Sequence, residues 1–264
     1  MVNESSGLIA VNDRKGEYTM TDDCKTVLGF LHCDYELFEN EKSGDKIITR
    51  FNELTTQGKA NGFYPLIVLP SDTLAEMLEI FLNENKVENG PESIAAYRQT
   101  LIEAANGIEA AAFLSTEADK CIGQYGGYDI LGQFVQSEPL DTLSLHMLSY
   151  MPCQEVIIAK IPTENPWELA AWIPMGGFNF CPSPEKQVAV FRYWHEKYGA
   201  VPAVVTSDIW ELTLTKPPLT EEEAEALAKE HFAFCSDAVA QGPETIRGLA
   251  SMLKGSTMWF FWWD

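Results

Sequence analysis

The stretch Gly176-Gly177-Phe178-Asn179-Phe180-Cys181-Pro182 carries the densest set of chemically capable groups in the chain. Gly176 and Gly177 admit positive φ and let a ligand approach the backbone closely. Asn179 both donates and accepts hydrogen bonds. Cys181 lies just before Ser183-Pro184, a helix start, where the helix dipole favours a thiolate. A purely local role competes: the glycines make a tight turn, Asn179 ties it to the backbone and Cys181 is a small buried hydrophobe.

A nucleophilic cysteine needs a base. His195 lies about three to four turns along the following helix, roughly 15–20 Å from its start at 1.5 Å per residue, which leaves His231 as the partner that tertiary packing would have to supply. His231 and Cys235 stand at i and i+4, a spacing that zinc sites use, and Cys153 and Cys181 are the residues able to complete a set. No C-x₂₋₄-C knuckle occurs, so no metal is expected. Asp208, Glu211, Asp237 and Asp264 are the carboxylates available for acid/base work or magnesium, with Gln241 close to Asp237. Asp208 also suits a strand–strand turn. Asp264 follows an aromatic strand directly, and if enclosed would need donors such as an indole N–H, Arg192 or Arg247. The candidate ligand or partner site is therefore Gly176, Gly177, Asn179, Cys181, His231, Asp237, Gln241 and Asp264.

Composition narrows what such a site would serve. The chain has 264 residues, 46% hydrophobic, with 18 Lys+Arg against 39 Asp+Glu and a net charge of -21. Such a surface disfavours nucleic acid and anionic lipid, both of which demand clustered cations. Residues 1–150 hold 10 basic and 24 acidic side chains, and residues 151–264 hold 8 and 15, so the first part is the more acidic. No GxxxxGK(S/T), GxGxxG after a strand, GxSxG or HExxH occurs, and no cofactor is expected. The six scattered cysteines, the absence of an apolar leader and the lack of a run of roughly 20 apolar residues read as a soluble cytoplasmic protein with reduced thiols.

The elements that must position these residues follow from periodicity and punctuation. Residues 1–20 are a loose arm or an edge strand, and the apolar run Thr26 to Phe38 reads as a strand. A helix opens at Asp45, with Ile47, Phe51 and Leu54 inward, and Gly58 and Gly62 stop it. Phe63 to Leu69 reads as a buried strand. Ser71 or Asp72 caps a helix, and Pro91 opens another through Ala105. Cys121 to Gly132 reads as a glycine-rich loop. Pro139 to Pro152 is the boundary region, with Leu143, Leu145, Met147 and Leu148 as a connecting helix. Beyond it, Val156 to Ile161, Val201 to Thr206 and Ile209 to Thr215 read as strands. Ser183-Pro184 starts a helix that Gly199 closes. Thr220 and Glu223 form a capping box for a helix carrying Leu227, His231, Cys235 and Val239. A last helix ends at Gly255. Met258 to Asp264 (MWFFWWD) is apolar on both faces and is expected at the centre of its sheet. The seven tryptophans either line a ligand groove or, the commoner use of large aromatics, build a thick core.

Four blocks, PWELAAWIPMGGFNFCP, YWHEKYGAVPAVV, EHFAFCSDAVAQG and WFFWWD, resemble in order and spacing the bacterial family known as domain of unknown function 4253. The resemblance covers about the last 110 residues, and Phe178 departs conservatively from an expected tryptophan. The region from Phe63 to Leu69 is loosely similar to the upstream part of longer members. The family implies no established activity, substrate or cofactor.

The expected architecture is α/β or α+β: residues 1–145 as an N-terminal domain and residues 153–264 as a second, with mixed sheets flanked by helices. Two functions compete. One is a cytoplasmic binding protein whose acidic face meets a basic protein, as an inhibitor or immunity protein would. The other is an enzyme of unassigned class with a site around Asn179, Cys181, His231 and Asp237.

Overall fold

A computed structural model describes residues 19–124, 129–145 and 154–264. The described residues divide into two compact units, each assembled from separated stretches of chain. The first takes its residues from 1–97, 143–165 and 204–207, the second from 98–142, 166–203 and 208–264. Six strands form a mixed sheet flanked by helices, in the order β1-β3-β2-β4-β5-β6: β1 (Asp34–Glu39), β2 (Tyr64–Val68), β3 (Glu155–Ile161), β4 (Val201–Val205), β5 (Ile209–Thr213) and β6 (Met258–Trp262). The division between the units falls within β4 and within a helix, α4 below.

The first unit opens with α1 (Asp22–Leu31), where the sequence pattern suggests a strand. Thr21 decides the matter. Its hydroxyl accepts from the Cys24 N–H, Asp22 and Asp23 fill the first turn, and Cys24, Val27, Phe30 and Leu31 form the buried face. His32 closes the helix in the left-handed region, and the chain then extends into β1. Next, α2 (Asp45–Asn61) runs through Gly58 and ends at Gly62, which has φ +73°. Gly58 is a contact position and not a stop: a Cβ there would strike the Phe63 carbonyl as the chain turns back. β2 and β3 pair antiparallel, as do β1 and β3, while β2 and β4 run parallel. Thus β3, from beyond the expected boundary, lies between two strands from the N-terminal part. Ser71 caps α3 (Asp72–Glu84) through the Leu74 N–H, and α4 (Pro91–Asn106) follows. Leu143 and Leu145 are buried, whereas Met147 and Leu148 of the expected connecting helix lie outside the described residues, as do residues 1–18.

The second unit contains a helix that the sequence pattern does not announce, α5 (Ala110–Gln124). Its buried face is Ala110, Leu114 and Ala118, and two alanines give a weak apolar signal. It takes in the start of the expected glycine-rich loop; residues 125–128 lie outside the description. A 3₁₀ turn (Pro166–Glu168) leads into the short α6 (Leu169–Trp172). Then comes α7 (Pro184–Tyr198), closed by Gly199 at φ +64°. α8 (Glu221–Phe234) has the expected capping box between Thr220 and Glu223, but stops before Cys235, which is extended at φ -143°. The continuation to Val239 is a separate helix, α9 (Asp237–Ala240). α10 (Ile246–Leu253) precedes β6.

β6 is an edge strand, which corrects its expected central place in a second sheet. The sequence pattern is real, but the two faces are served differently. Trp259, Phe261 and Trp263 are buried, whereas Phe260 is 40% exposed. Part of its open edge is covered without a strand: the Met258 N–H donates to the Leu140 carbonyl and the Cys235 thiol to the Trp262 carbonyl. The core of this unit is aromatic. Trp194 stacks on Phe261 at 5.5 Å with 4° between the rings and meets Trp259 edge-on at 5.3 Å.

Candidate functional site

The glycine–asparagine–cysteine loop links α6 to α7, and a residue absent from the sequence-derived set holds it in place. Gln187 on α7 is fully buried; its amide nitrogen donates to the Met175 and Pro182 carbonyls (2.6 and 2.7 Å), and its amide oxygen accepts from the Trp210 indole at 2.7 Å. Both its amide nitrogen and its amide oxygen are engaged locally, as burial demands. A sequence signal was there: Gln187 falls in register with Phe191, Trp194 and Tyr198 on the apolar stripe of the helix. Gly176 is required by close approach, because at φ +129° an added Cβ would strike the Pro182 carbonyl and the Gln187 amide.

Further along, the loop closes on itself. The Gly177 N–H donates to the Cys181 carbonyl at 3.1 Å, and the Cys181 N–H to the Phe178 carbonyl at 2.6 Å. Between them Asn179 and Phe180 take positive φ, +40° and +62°. Asparagine tolerates that region; phenylalanine there is strained by about 1–3 kcal/mol. The geometry turns Phe180 outward, leaving it 88% exposed.

Four of the expected site residues meet at the surface. The Asn179 amide donates to the Asp264 carbonyl at 2.5 Å, and the Asp264 N–H to the Asp237 carboxylate at 3.3 Å. The Gln241 amide nitrogen lies 3.4 Å from the Asp237 carboxylate and 3.3 Å from that of Asp264, bridging two like charges. Asp208 accepts from the Trp262 indole at 3.2 Å. The donors foreseen for Asp264 are engaged elsewhere: Arg192 donates to Asn106 and the Ala105 carbonyl, Arg247 to Glu225 and the Gly132 carbonyl. Glu211 is buried.

Cys181 and His231 are in the interior. Cys181 is 4% exposed, its sulfur 3.6 Å from the Met175 sulfur and 3.5 Å from the Gln187 amide nitrogen. Burial pushes its thiol well above the ordinary range, so desolvation overrides the helix-start dipole that favours a thiolate. His231 is boxed by Trp194, Trp259 and Phe261, with ring centroids at 5.2, 4.6 and 4.6 Å, and its Nε2 has no hydrogen-bond partner. Burial pushes it down to about 3, so the ring is neutral at pH 7. No hydrogen bond joins it to Cys181 among the described residues. Cys235 faces the Trp262 carbonyl at 3.1 Å, and burial pushes its thiol up to about 12. Among the described residues no three His, Cys, Asp or Glu side chains are grouped to hold a metal ion; Cys153 lies outside them. His195 has its Nδ1 3.0 Å from the Ala200 carbonyl and its ring against Trp167. The tryptophans Trp194, Trp210, Trp259 and Trp263 are core.

No helix among the described residues is long and apolar enough to cross a membrane. A search of the curated proteins and a search of the solved structures each find no match. One family does match, over the region whose aromatic blocks carry the sequence resemblance: residues 157–264, the C-terminal part of the chain, fit the family described as Domain of unknown function (DUF4253).

Proposed function

We propose that this chain is a cytoplasmic binding protein that holds a basic protein partner, acting as an inhibitor or immunity protein does and not as a catalyst. The observation that supports this reading most directly is Phe180. A large aromatic 88% exposed, carried at positive φ by a loop that Gln187 fastens from beneath, is a costly arrangement for the fold alone. Exposed aromatics of this kind serve as interface anchors. Beside it, Asn179 joins the hydrogen-bonded group of Asp237, Gln241 and Asp264, which supplies negative charge suited to Lys or Arg of the partner. The thiol and imidazole that catalysis would recruit are both buried and in their neutral forms. A net charge of -21 directs the choice toward cationic proteins and away from nucleic acid.

The test is capture of protein from native lysate on immobilised wild type and Phe180→Ala, at ~0.1 M and ~1 M salt, where the Debye length falls from about 10 to 3 Å. Expected is a basic protein retained at low salt, released at high salt and weakly held by the variant. Retention that ignores both salt and Phe180 would sink the reading, as would recovery of nucleic acid alone.

A further inference from the structure

The second unit has a groove of about 500 Å³ between α5 and α8 whose lining includes none of the surface group around Asn179. Its floor is apolar: Leu114 and Ala118 are buried, Ile122 and Phe134 half-buried. Asp119 on α5 and Glu222 on α8 stand exposed on the two walls, and neither has an ion-pair partner among the described residues. The other carboxylates differ in this respect. Glu225 is held by Lys229 and Arg247, and Glu230 by Lys197, at 2.7–2.9 Å, while Glu221 faces Lys254 at 3.8 Å. Uncompensated negative charge therefore sits on the two walls, above an apolar floor.

The walls also restrict the form of an occupant. Both are helices whose backbone groups bond internally, so the groove offers no strand edge to extend. A helix satisfies its own backbone there, whereas an extended peptide would gain no backbone hydrogen bond from the protein. Apolar side chains at i, i+3 and i+4 would rest on the floor, and Lys or Arg on the flanks would reach Asp119 and Glu222. We infer that this groove docks a cationic amphipathic helix of the protein partner. The inference rests on the reading of the chain as a binder of a basic protein, and adds where and in what form that partner is held.

The probe is a fluorescein-labelled Lys/Leu amphipathic peptide of about 18 residues, long enough to form a helix, with a scrambled isomer lacking an apolar face as control. Binding to the full chain is followed by anisotropy. Expected is affinity at least tenfold tighter for the amphipathic peptide than for the isomer, about 1.4 kcal/mol. Asp119→Lys combined with Glu222→Lys should weaken it at least tenfold. Ala226→Trp, at an exposed position on the groove wall, should do the same by filling the space. Ile80→Ala, at an exposed position on α3 outside the groove, should leave it unchanged. Equal affinity for the two peptides overturns the inference, as does undiminished binding by both groove variants. If lysate capture depends on Phe180 while the peptide ignores the groove, the docking site falls and the binding function stands. If the peptide binds as expected but nothing basic is captured, the functional reading fails and the groove remains.

Discussion

The two units differ in the cores they build, although Gln187 in the second is as fully paired as the buried carboxylates of the first. In the first, the core is chiefly aliphatic, with Leu66, Ile67, Val68, Ile157 and Ile158 fully buried on adjacent strands, and its buried carboxylates are matched. Glu36 on β1 takes two hydrogen bonds from Arg50 at 2.8 Å and an ion pair from Lys160 at 3.0 Å, a residue diagonally across on β3. Glu155 accepts from both the N–H and the hydroxyl of Thr21 at 2.7 Å. In the second unit, the nitrogen atoms His231 Nε2, Trp259 Nε1 and Trp263 Nε1 are buried with no hydrogen bond, and the rings that carry them stand edge-on to aromatic neighbours. An aliphatic core cannot accommodate a charge without matching it. A core of stacked rings tolerates a neutral imidazole because ring faces are electron-rich and close-packed, at the cost of excluding its protonated form.

That contrast can be broken from either side. The largest expected effect is at the aromatic centre: Trp194→Ala should cost about 3–5 kcal/mol, from lost burial and the cavity left among Phe191, Phe234, Trp259 and Phe261. Chemical denaturation gives the value, and a loss under 1 kcal/mol would mean that the ring cluster is not what holds this unit. In the aliphatic unit, Glu36→Gln should cost about 2 kcal/mol, because Lys160 loses its counter-charge and Arg50 keeps only the exposed Glu53, in a partly screened setting. A neutral outcome would show the ion pairs to be ornamental.

The effect read over a single pH unit is the smallest and the most discriminating, since it separates the two cores by pH. For His231 the native ring, at about 3, stays neutral while the unfolded ring takes up a proton below 6.5. Stability is then full above pH 6.5 and falls by about 1.4 kcal/mol per pH unit as the pH drops toward 3. Glu36 acts in a lower window. Hydrogen bonds from Arg50, and then from Lys160, hold its carboxyl below 4.5, so its contribution is present above pH 4.5 and is lost as the pH falls through the native value. Replacing His231 with Phe should flatten the stability profile between pH 6 and 5 (a window fixed by those ordinary values), whatever it does to absolute stability. An unchanged slope there would remove His231 as the cause.

Much of the candidate region was legible in the residues. Local punctuation placed the helix from Pro184 to Gly199, the Thr220–Glu223 capping box and the strands after Glu155, since caps, prolines and β-branched runs act within a few residues. It misjudged α1, where a cap at Thr21 outweighs an apolar run, and α5, whose inward face is mostly alanine. The loop's residue types announced a tight turn, and Asn179, Asp237, Gln241 and Asp264 do converge.

By itself, then, the sequence determined the mixed α/β class, the acidity, the local elements and which residues were chemically capable. The tertiary structure alone decided which of those residues face outward. Cys181 and Asn179 are two positions apart, yet the folded loop packs one against Met175 and Gln187, each six residues away, and carries the other to Asp264, 85 residues on. His231 and Cys235 share a spacing that suggests a common ligand, yet α8 ends between them and rings from α7 and β6 enclose the first. Burial, which sets protonation and access, is a property of contacts between residues distant in sequence, and no local pattern encodes it.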